Sequence, residues 1–398
     1  MRVPCHMAVL ASALLLSPAT AAGEKGSAVV PVAQEPPQAQ YCLNVVYFVG
    51  QGAEPVPGYR ERLGALLRWV QAFYAQEMEH NGFGHRTFGL AEEAGGMVEI
   101  QLLRGRKAHN AYGCGPDAAE TVWAEVQAYQ AAHPEKCRSA HTLVVMPTLT
   151  EGAFSHARPG GVPFCGYGRG CFVLDYAQFD LRHLGERSDE GRALTKWLGG
   201  LAHELGHAMN LPHNDAPAGD FDRRGTPLMG TGNYTLGTTP TYLTKASCNL
   251  LACCQLLAPA GDDTVYYPEH AAAPELADVR LRVQGDTLHV GLRCRGAAYV
   301  NLYVQDPPYG CNDDYDAVSY DAPLAEDRDG YRRAEVQVDL ADITTLPHVE
   351  ERCGESALDI VCVARDGLHY RTRITIPWQQ LPPDGVIAPG PLQLQEGY

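Results

Sequence analysis

Three histidines and a glutamate crowd into the stretch His203 to His213, which reads HELGHAMNLPH. Imidazole nitrogens bind divalent metal ions, and a carboxylate beside such an ion can take a proton from an attacking water. On an α-helix, residues four apart share a face about 6 Å apart along the axis, so His203 and His207 can close on one ion from one side. Glu204 sits one step round, beside the ion rather than on it, where a general base is wanted. Two histidines leave a tetrahedral ion short of a protein ligand. His213 follows six residues after His207, and a continuing helix would carry it about 9 Å further along and most of a turn round, out of reach. The chain must therefore turn. Asn210 tolerates the left-handed conformation at a helix C-terminus, and Pro212 cannot continue a helical ladder. His213 can then swing back and leave the fourth position to water or substrate. Three imidazoles without a carboxylate favour a single Zn2+, although imidazole also suits copper, iron and nickel.

With these residues the chain resembles the metzincin zinc endopeptidases, whose signature is HExxHxxGxxH followed by a methionine-containing turn beneath the metal. His203, Glu204, His207 and His213 match the pattern position by position, and Asn210 stands in place of the glycine. The resemblance implies a hydrolase of peptide bonds, with protein or peptide substrates and Glu204 as its general base. It also implies that Met229, in GTPLMGTGNY, is the residue of the methionine turn. Some metzincins carry a transition-state tyrosine two residues after that methionine. Here that position is Thr231, and Tyr234 is the nearest alternative for such a role or for the pocket.

Two rival readings use the same residues. An adhesion or carbohydrate-binding protein with a structural or vestigial zinc site would need a fourth protein ligand, and Asp215 is the one residue near enough in sequence to supply it. A gluzincin-type peptidase would take its third ligand from a distal Glu, but His213 already fills that place.

The elements that must position these residues are legible as patterns. LNVVYFVG, after Tyr41, is an apolar run of strand length, and Tyr59 to Glu79 carries Leu63, Leu66, Leu67, Val70, Phe73 and Tyr74 at helical spacing. A strand is expected over Met97 to Leu103, a helix over Ala118 to Ala131 and a strand over Thr142 to Met146. Gly152 to Tyr176 reads as an irregular hairpin leading into the cleft. The histidine helix spans Asp189 to Met209 with Ser188 as its cap, and Thr244 to Leu257 forms a closing helix. An edge strand that could receive an extended peptide is expected at Phe172 to Tyr176 or Gly152 to His156.

Past residue 275 the apolar period changes to two, in VRLRVQ, TLHVGLRC, YVNLYVQ, AEVQVDL, LDIVCVA and HYRTRITI, which predicts an all-β sandwich, immunoglobulin-like in strand count. The expected organisation is a signal peptide (1–22), a flexible leader (23–40), an α/β metzincin-like zinc peptidase domain (41–258), a linker (259–275), the β-sandwich domain (276–380) and a C-terminal tail (381–398). Asp313, Asp314 and Asp316 form an acidic group that could take Ca2+, although such carboxylates are commonly just solvated.

The apolar run Met7 to Leu16, with Arg2 before it and Ala19, Ala21 and Ala22 after it, has the form of an export signal and is too short to span a bilayer. A secreted or periplasmic protein with no membrane span is expected. Removing Cys5 with the signal leaves twelve of the 13 cysteines, an even number that suits disulfides, with Cys165–Cys171 and Cys114–Cys137 as local pairs. A formal charge of −16 argues against nucleic acid as a partner.

Overall fold

The computed structural model describes residues 39–114, 117–149, 160–305, 315, 317–343 and 355–397. The signal, most of the leader, the Gly152 to His156 segment and the three aspartates of the acidic group lie outside the described residues. Among the described residues no helix is long and apolar enough to cross a membrane.

The first part is α/β. Strand β1 (Cys42–Gln51) is followed by α1 (Tyr59–His80), β2 (Gly89–Leu90), β3 (Gln101–Ala108), α2 (Ala118–Ala132), β4 (Thr142–Pro147), β5 (Cys165–Tyr167), β6 (Gly170–Asp175) and α3 (Asp189–Ala208). The sheet order is β2-β1-β4-β6-β5, with β3 also on β1. Its pairings are parallel except that of β5, which returns antiparallel along β6 at one edge. Inner strands of such a sheet are covered on both faces and read as unbroken apolar runs, as TLVVMP and GCFVLD do. Of the expected edge at Phe172 to Tyr176, Phe172 is covered by Cys165 of the short β5, whereas among the described residues Val173 to Asp175 pair with a strand on the β4 side alone. The expected strand at Met97 to Leu103 begins only at Gln101. Val98 instead closes a small bridge with Glu92 and lies under α1, near Gly64, so its apolar side chain is buried without joining the sheet.

After α3 come α4 (Ala218–Arg224), the paired β7 (Thr226–Pro227) and β8 (Thr241–Tyr242), and α5 (Lys245–Ala252). Thr244 caps α5 by accepting from the Ser247 N–H. The expected longer helix breaks after Ala252 into a 3-10 turn, Gln255–Leu257.

The second part is antiparallel. Its elements are β9 (Glu275–Gln284), β10 (Thr287–Arg295), β11 (Tyr299–Gln305), β12 (Val318–Asp321), β13 (Ala325–Glu326), β14 (Arg332–Asp339), the short α6 (Leu340–Ile343), β15 (Glu355–Val363), β16 (His369–Pro377), β17 (Val386–Ile387) and β18 (Gln395–Glu396). They form two five-stranded sheets, β13-β14-β10-β9-β17 and β12-β11-β15-β16-β18. The segment expected as a tail gives one short strand to each sheet.

Period two decides what each face meets. Val300, Leu302 and Val304 of β11 share a core with Val290 and Leu292 of the facing sheet. Tyr303 belongs to the core of the α/β part, and Asn301 donates to the Ala246 carbonyl at 2.9 Å in α5. The second sheet thus lies between its partner sheet and the α/β part.

No disulfide joins the ten described cysteines, which corrects the expected local pairs Cys165–Cys171 and Cys114–Cys137. Cys165 lies opposite Phe172 in the β5/β6 register, so Cys171, the neighbour of Phe172, points to the other face of the sheet. Cys294 and Cys362 bring their sulfurs to 3.8 Å as thiols.

Candidate metal site

Helix α3 starts where Ser188 accepts from the Gly191 N–H at 3.1 Å, and Asp189 and Glu190 occupy its first turn, where acidic groups suit the helix dipole. It ends at the turn the sequence demanded. Asn210 takes φ 67°, the Leu211 N–H donates to the Gly206 carbonyl at 3.0 Å, and the Asn210 N–H donates to that of His207 at 2.9 Å. These two bonds are a Schellman motif with asparagine in the left-handed position. The same turn presents the Leu211 carbonyl to Nδ1 of His207 at 2.8 Å.

His203, His207 and His213 converge. Their Nε2 atoms stand 3.1, 2.9 and 3.2 Å from one another. A tetrahedral ion with bonds of 2.0–2.1 Å to nitrogen needs an edge of about 3.3 Å, so the triangle is nearly of the right size. His203 Nδ1 meets the Leu228 carbonyl at 2.8 Å, as His207 Nδ1 meets that of Leu211. A carbonyl can only accept, so both histidines carry their proton on Nδ1 and turn a bare Nε2 lone pair inward. Facing lone pairs call for a cation. Burial, followed by the charges His203 and His213 would carry, holds His207 well below the ordinary imidazole range, which keeps it in the neutral, metal-binding form. Among the described residues these three are the group of metal-binding side chains the structure brings together, and they can hold a metal ion.

Glu204, one residue round the helix, is desolvated by its surroundings and pushed up to about 8; a backbone hydrogen bond from Gly166 of β5 pulls the other way. The edge strand thus runs directly over the helix. A Cβ on Gly166 would come within 2.3 Å of the Glu204 carbonyl oxygen and 2.8 Å of the His207 Cβ, so only glycine lets the two elements approach this closely. Gly166, Tyr167, Gly168, His207, Asn210, Leu211, Pro212 and His213 line an open cleft of about 210 Å³.

Beneath the helix, the Met229 sulfur lies against Gly206, where a Cβ would meet it at 2.6 Å, and Met229 is buried. Tyr234 is elsewhere. Its exposed ring stands over Lys196, two turns before His203 and about 10 Å along the axis. Thr231 opens the 3-10 turn that carries Tyr234. Asp215 is not part of the ligand group: its Oδ1 accepts from the Ala216 N–H at 2.9 Å, and its backbone is engaged by the second part of the molecule.

Three contributors had no signal of their own in the sequence. Gly166 lay in the Gly152 to Tyr176 stretch, which reads as an irregular hairpin with nothing to mark this glycine. Asn214, next to His213, is fully buried. Its N–H donates to the Met229 carbonyl at 3.2 Å, its side-chain amide donates to Ser247 Oγ at 3.0 Å, and its Oδ1 accepts from Thr244 Oγ1 at 3.0 Å and Ser319 Oγ at 3.3 Å. Tyr315, from the acidic stretch ahead of β12, stacks on His213 with ring centroids 3.6 Å apart.

No protein-family model and no curated protein sequence matches the chain. Among solved structures it is similar to OgpA from Akkermansia muciniphila. A catalytically inactive form of that protein, in complex with an O-glycopeptide substrate, aligns with a TM-score of 0.80 and 38% identity over 89% of this chain and 97% of the other. The wild-type form aligns with a TM-score of 0.80 and 37% identity over 94% of this chain and 99% of the other.

Proposed function

Since the chain belongs to the same family as OgpA, we propose that it is a zinc-dependent endopeptidase of the metzincin type that hydrolyses peptide bonds in O-glycosylated peptides. The observation that carries the reading is the triangle of three imidazole Nε2 atoms with Glu204 beside it, under an antiparallel edge strand. The relative bound to an O-glycopeptide supports the substrate class.

In this reading His203, His207 and His213 hold one Zn2+. When bound, the ion supplies a Lewis acid at the scissile carbonyl and an acidified water. Glu204 takes the proton of the attacking water on its carboxylate and delivers it to the nitrogen of the leaving amine. The high proton affinity that burial gives this carboxylate suits both halves of that transfer. Strand β5, whose Gly166 and Tyr167 line the cleft, runs beside the extended substrate backbone, where main-chain hydrogen bonds give affinity. Met229 floors the site by filling the space under Gly206. The domain boundaries at 258 and 276, the immunoglobulin-like character of the sandwich, and export directed by residues 1–22 belong to the same proposal.

Glu204→Gln tests it. The variant is expected to keep zinc, at one ion per chain by elemental analysis, and to cleave an O-glycosylated peptide at least about a hundredfold more slowly. Equal cleavage by the variant and the parent would refute the assignment. The adhesion reading predicts zinc with no turnover by the parent on any glycosylated or plain peptide.

A further inference from the structure

His203 and His207 are fixed by their helix, whereas His213 stands on an extended arm beyond the Schellman turn. The antiparallel part grips that arm. The Asp215 N–H donates to the Ala317 carbonyl at 2.7 Å, and the Ser319 N–H donates to the Asp215 carbonyl at 3.0 Å, so Asp215 forms a parallel bridge with Val318 at the head of β12. Ser319 Oγ adds hydrogen bonds to Asn214 Oδ1 and the Asp215 carbonyl. Two residues ahead of Ala317, Tyr315 lays its ring on His213 at 3.6 Å and 26° between planes, and lies 6.1 Å from the His203 ring at 10°. The imidazole of His213 is therefore packed against a phenol ring on the same stretch that bonds to the backbone of Asp215, two residues on.

We propose that Tyr315 is a positioning residue of the metal site, supplied by the antiparallel part, whose ring holds the His213 imidazole in the orientation that the other two ligands require. This rests on the metal-site reading above. The strand pairing sets where the arm runs, and a flat ring against one face of the imidazole narrows the side-chain torsions of His213. Partners that orient a metal ligand from outside the coordination shell are commonly worth tenfold or more in metal affinity. An aromatic ring does this by its face, so the effect belongs to the ring and not to the hydroxyl.

The test uses the full chain loaded with zinc and follows release to a chromogenic chelator. Tyr315→Ala is expected to release zinc about tenfold faster than the parent and Tyr315→Phe within about twofold of it. Tyr315→Leu keeps apolar bulk without a ring and is expected to behave as the Ala variant does, which guards against a fault of folding alone. In the cobalt-loaded protein the visible bands should shift in the Ala and Leu variants and stay unchanged in Phe. Release by Tyr315→Ala at the parental rate, or a loss in Tyr315→Phe equal to that in Ala, overturns the inference while leaving the metal site standing. A parent chain that takes up no zinc overturns both.

Discussion

A Cβ on Gly166 would come within 2.3 Å of the Glu204 carbonyl oxygen, closer than any real side chain sits to a backbone. The edge strand and the histidine helix are packed as tightly as backbone allows, and the N–H that reaches the Glu204 carboxylate depends on that approach. Gly166→Ala is expected to push β5 off α3 and cost about 1–3 kcal/mol of stability. It should lower kcat/KM on a glycosylated peptide by more than tenfold. Denaturant unfolding and steady-state kinetics on the same preparation measure the two effects, and a variant with parental values of both would show that the strand can shift freely.

Asn210 holds φ 67° at the turn that delivers both the Leu211 carbonyl and His213. Asn210→Gly should be within about 0.5 kcal/mol of the parent, while Asn210→Ala, which gains nothing in the left-handed region, should lose about 1 kcal/mol. Zinc affinity should follow the same order. Urea unfolding with and without metal reads both, and an Ala variant as stable as Gly would show that the turn is not under conformational strain.

His141 is buried at the end of α3, with Nδ1 on the Ala208 carbonyl at 2.7 Å and Nε2 on the Tyr267 hydroxyl at 2.8 Å. Burial lowers its pKa to about 4, against the pull of the Ala208 carbonyl and with a further push from Arg169. The unfolded chain, with a pKa near 6.5, takes up the proton first, so stability rises with pH across this window and is lost as pH falls from about 6.5 towards 4. The loss attributable to this group at pH 4 is about 3 kcal/mol. His369, lowered to about 4 chiefly by burial, acts in the same direction. Stability measured in urea at pH 7 and pH 4.5 should differ less in His141→Gln than in the parent, and an equal difference would argue against a neutral, buried imidazole.

Arg62 clamps the buried carboxylate of Asp175 at the end of β6 with bonds of 2.8 and 3.1 Å, and Tyr47 adds a third at 2.8 Å. Removing the cation strands a desolvated acid. Arg62→Ala is expected to cost about 3–5 kcal/mol, whereas replacing both residues by apolar ones should cost much less. Thermal melts of the single and double variants distinguish this from a surface ion pair, which would cost under about 1 kcal/mol.

What the sequence disclosed was what local chemistry determines. The limits of α3, its Ser188 cap and the break at Asn210 follow from hydrogen bonds within a few residues of each other, and they appear where those residues place them. Apolar period distinguished the parallel inner strands from the alternating ones. It did not reveal that Val98 and Ile100 are buried outside the sheet, because burial under a helix and burial in a strand leave the same mark on the sequence. Nor did it single out β5, since CGY has no alternation and its role comes from what lies beneath Gly166. Tyr315 was hidden for a similar reason: it sits among aspartates that read as a solvated loop, and only tertiary pairing of Asp215 with Val318 carries it to His213. Tyr234, nearer in sequence, ends against Lys196 because the 3-10 turn packs on the middle of the helix, at Gly199.

The hydrogen bond between Ser319 and Asn214 joins residues 105 positions apart. A chain emerging from a ribosome presents all three histidines long before it presents β12, and contacts across so long a loop form late. The bonds of Asn214 to Met229, Thr244 and Ser247 can hold the arm first, and the grip of β12 is added only once the last sheet has assembled around β11 and β15. On the proposed function, the last restraint on the third ligand arrives with the finished molecule.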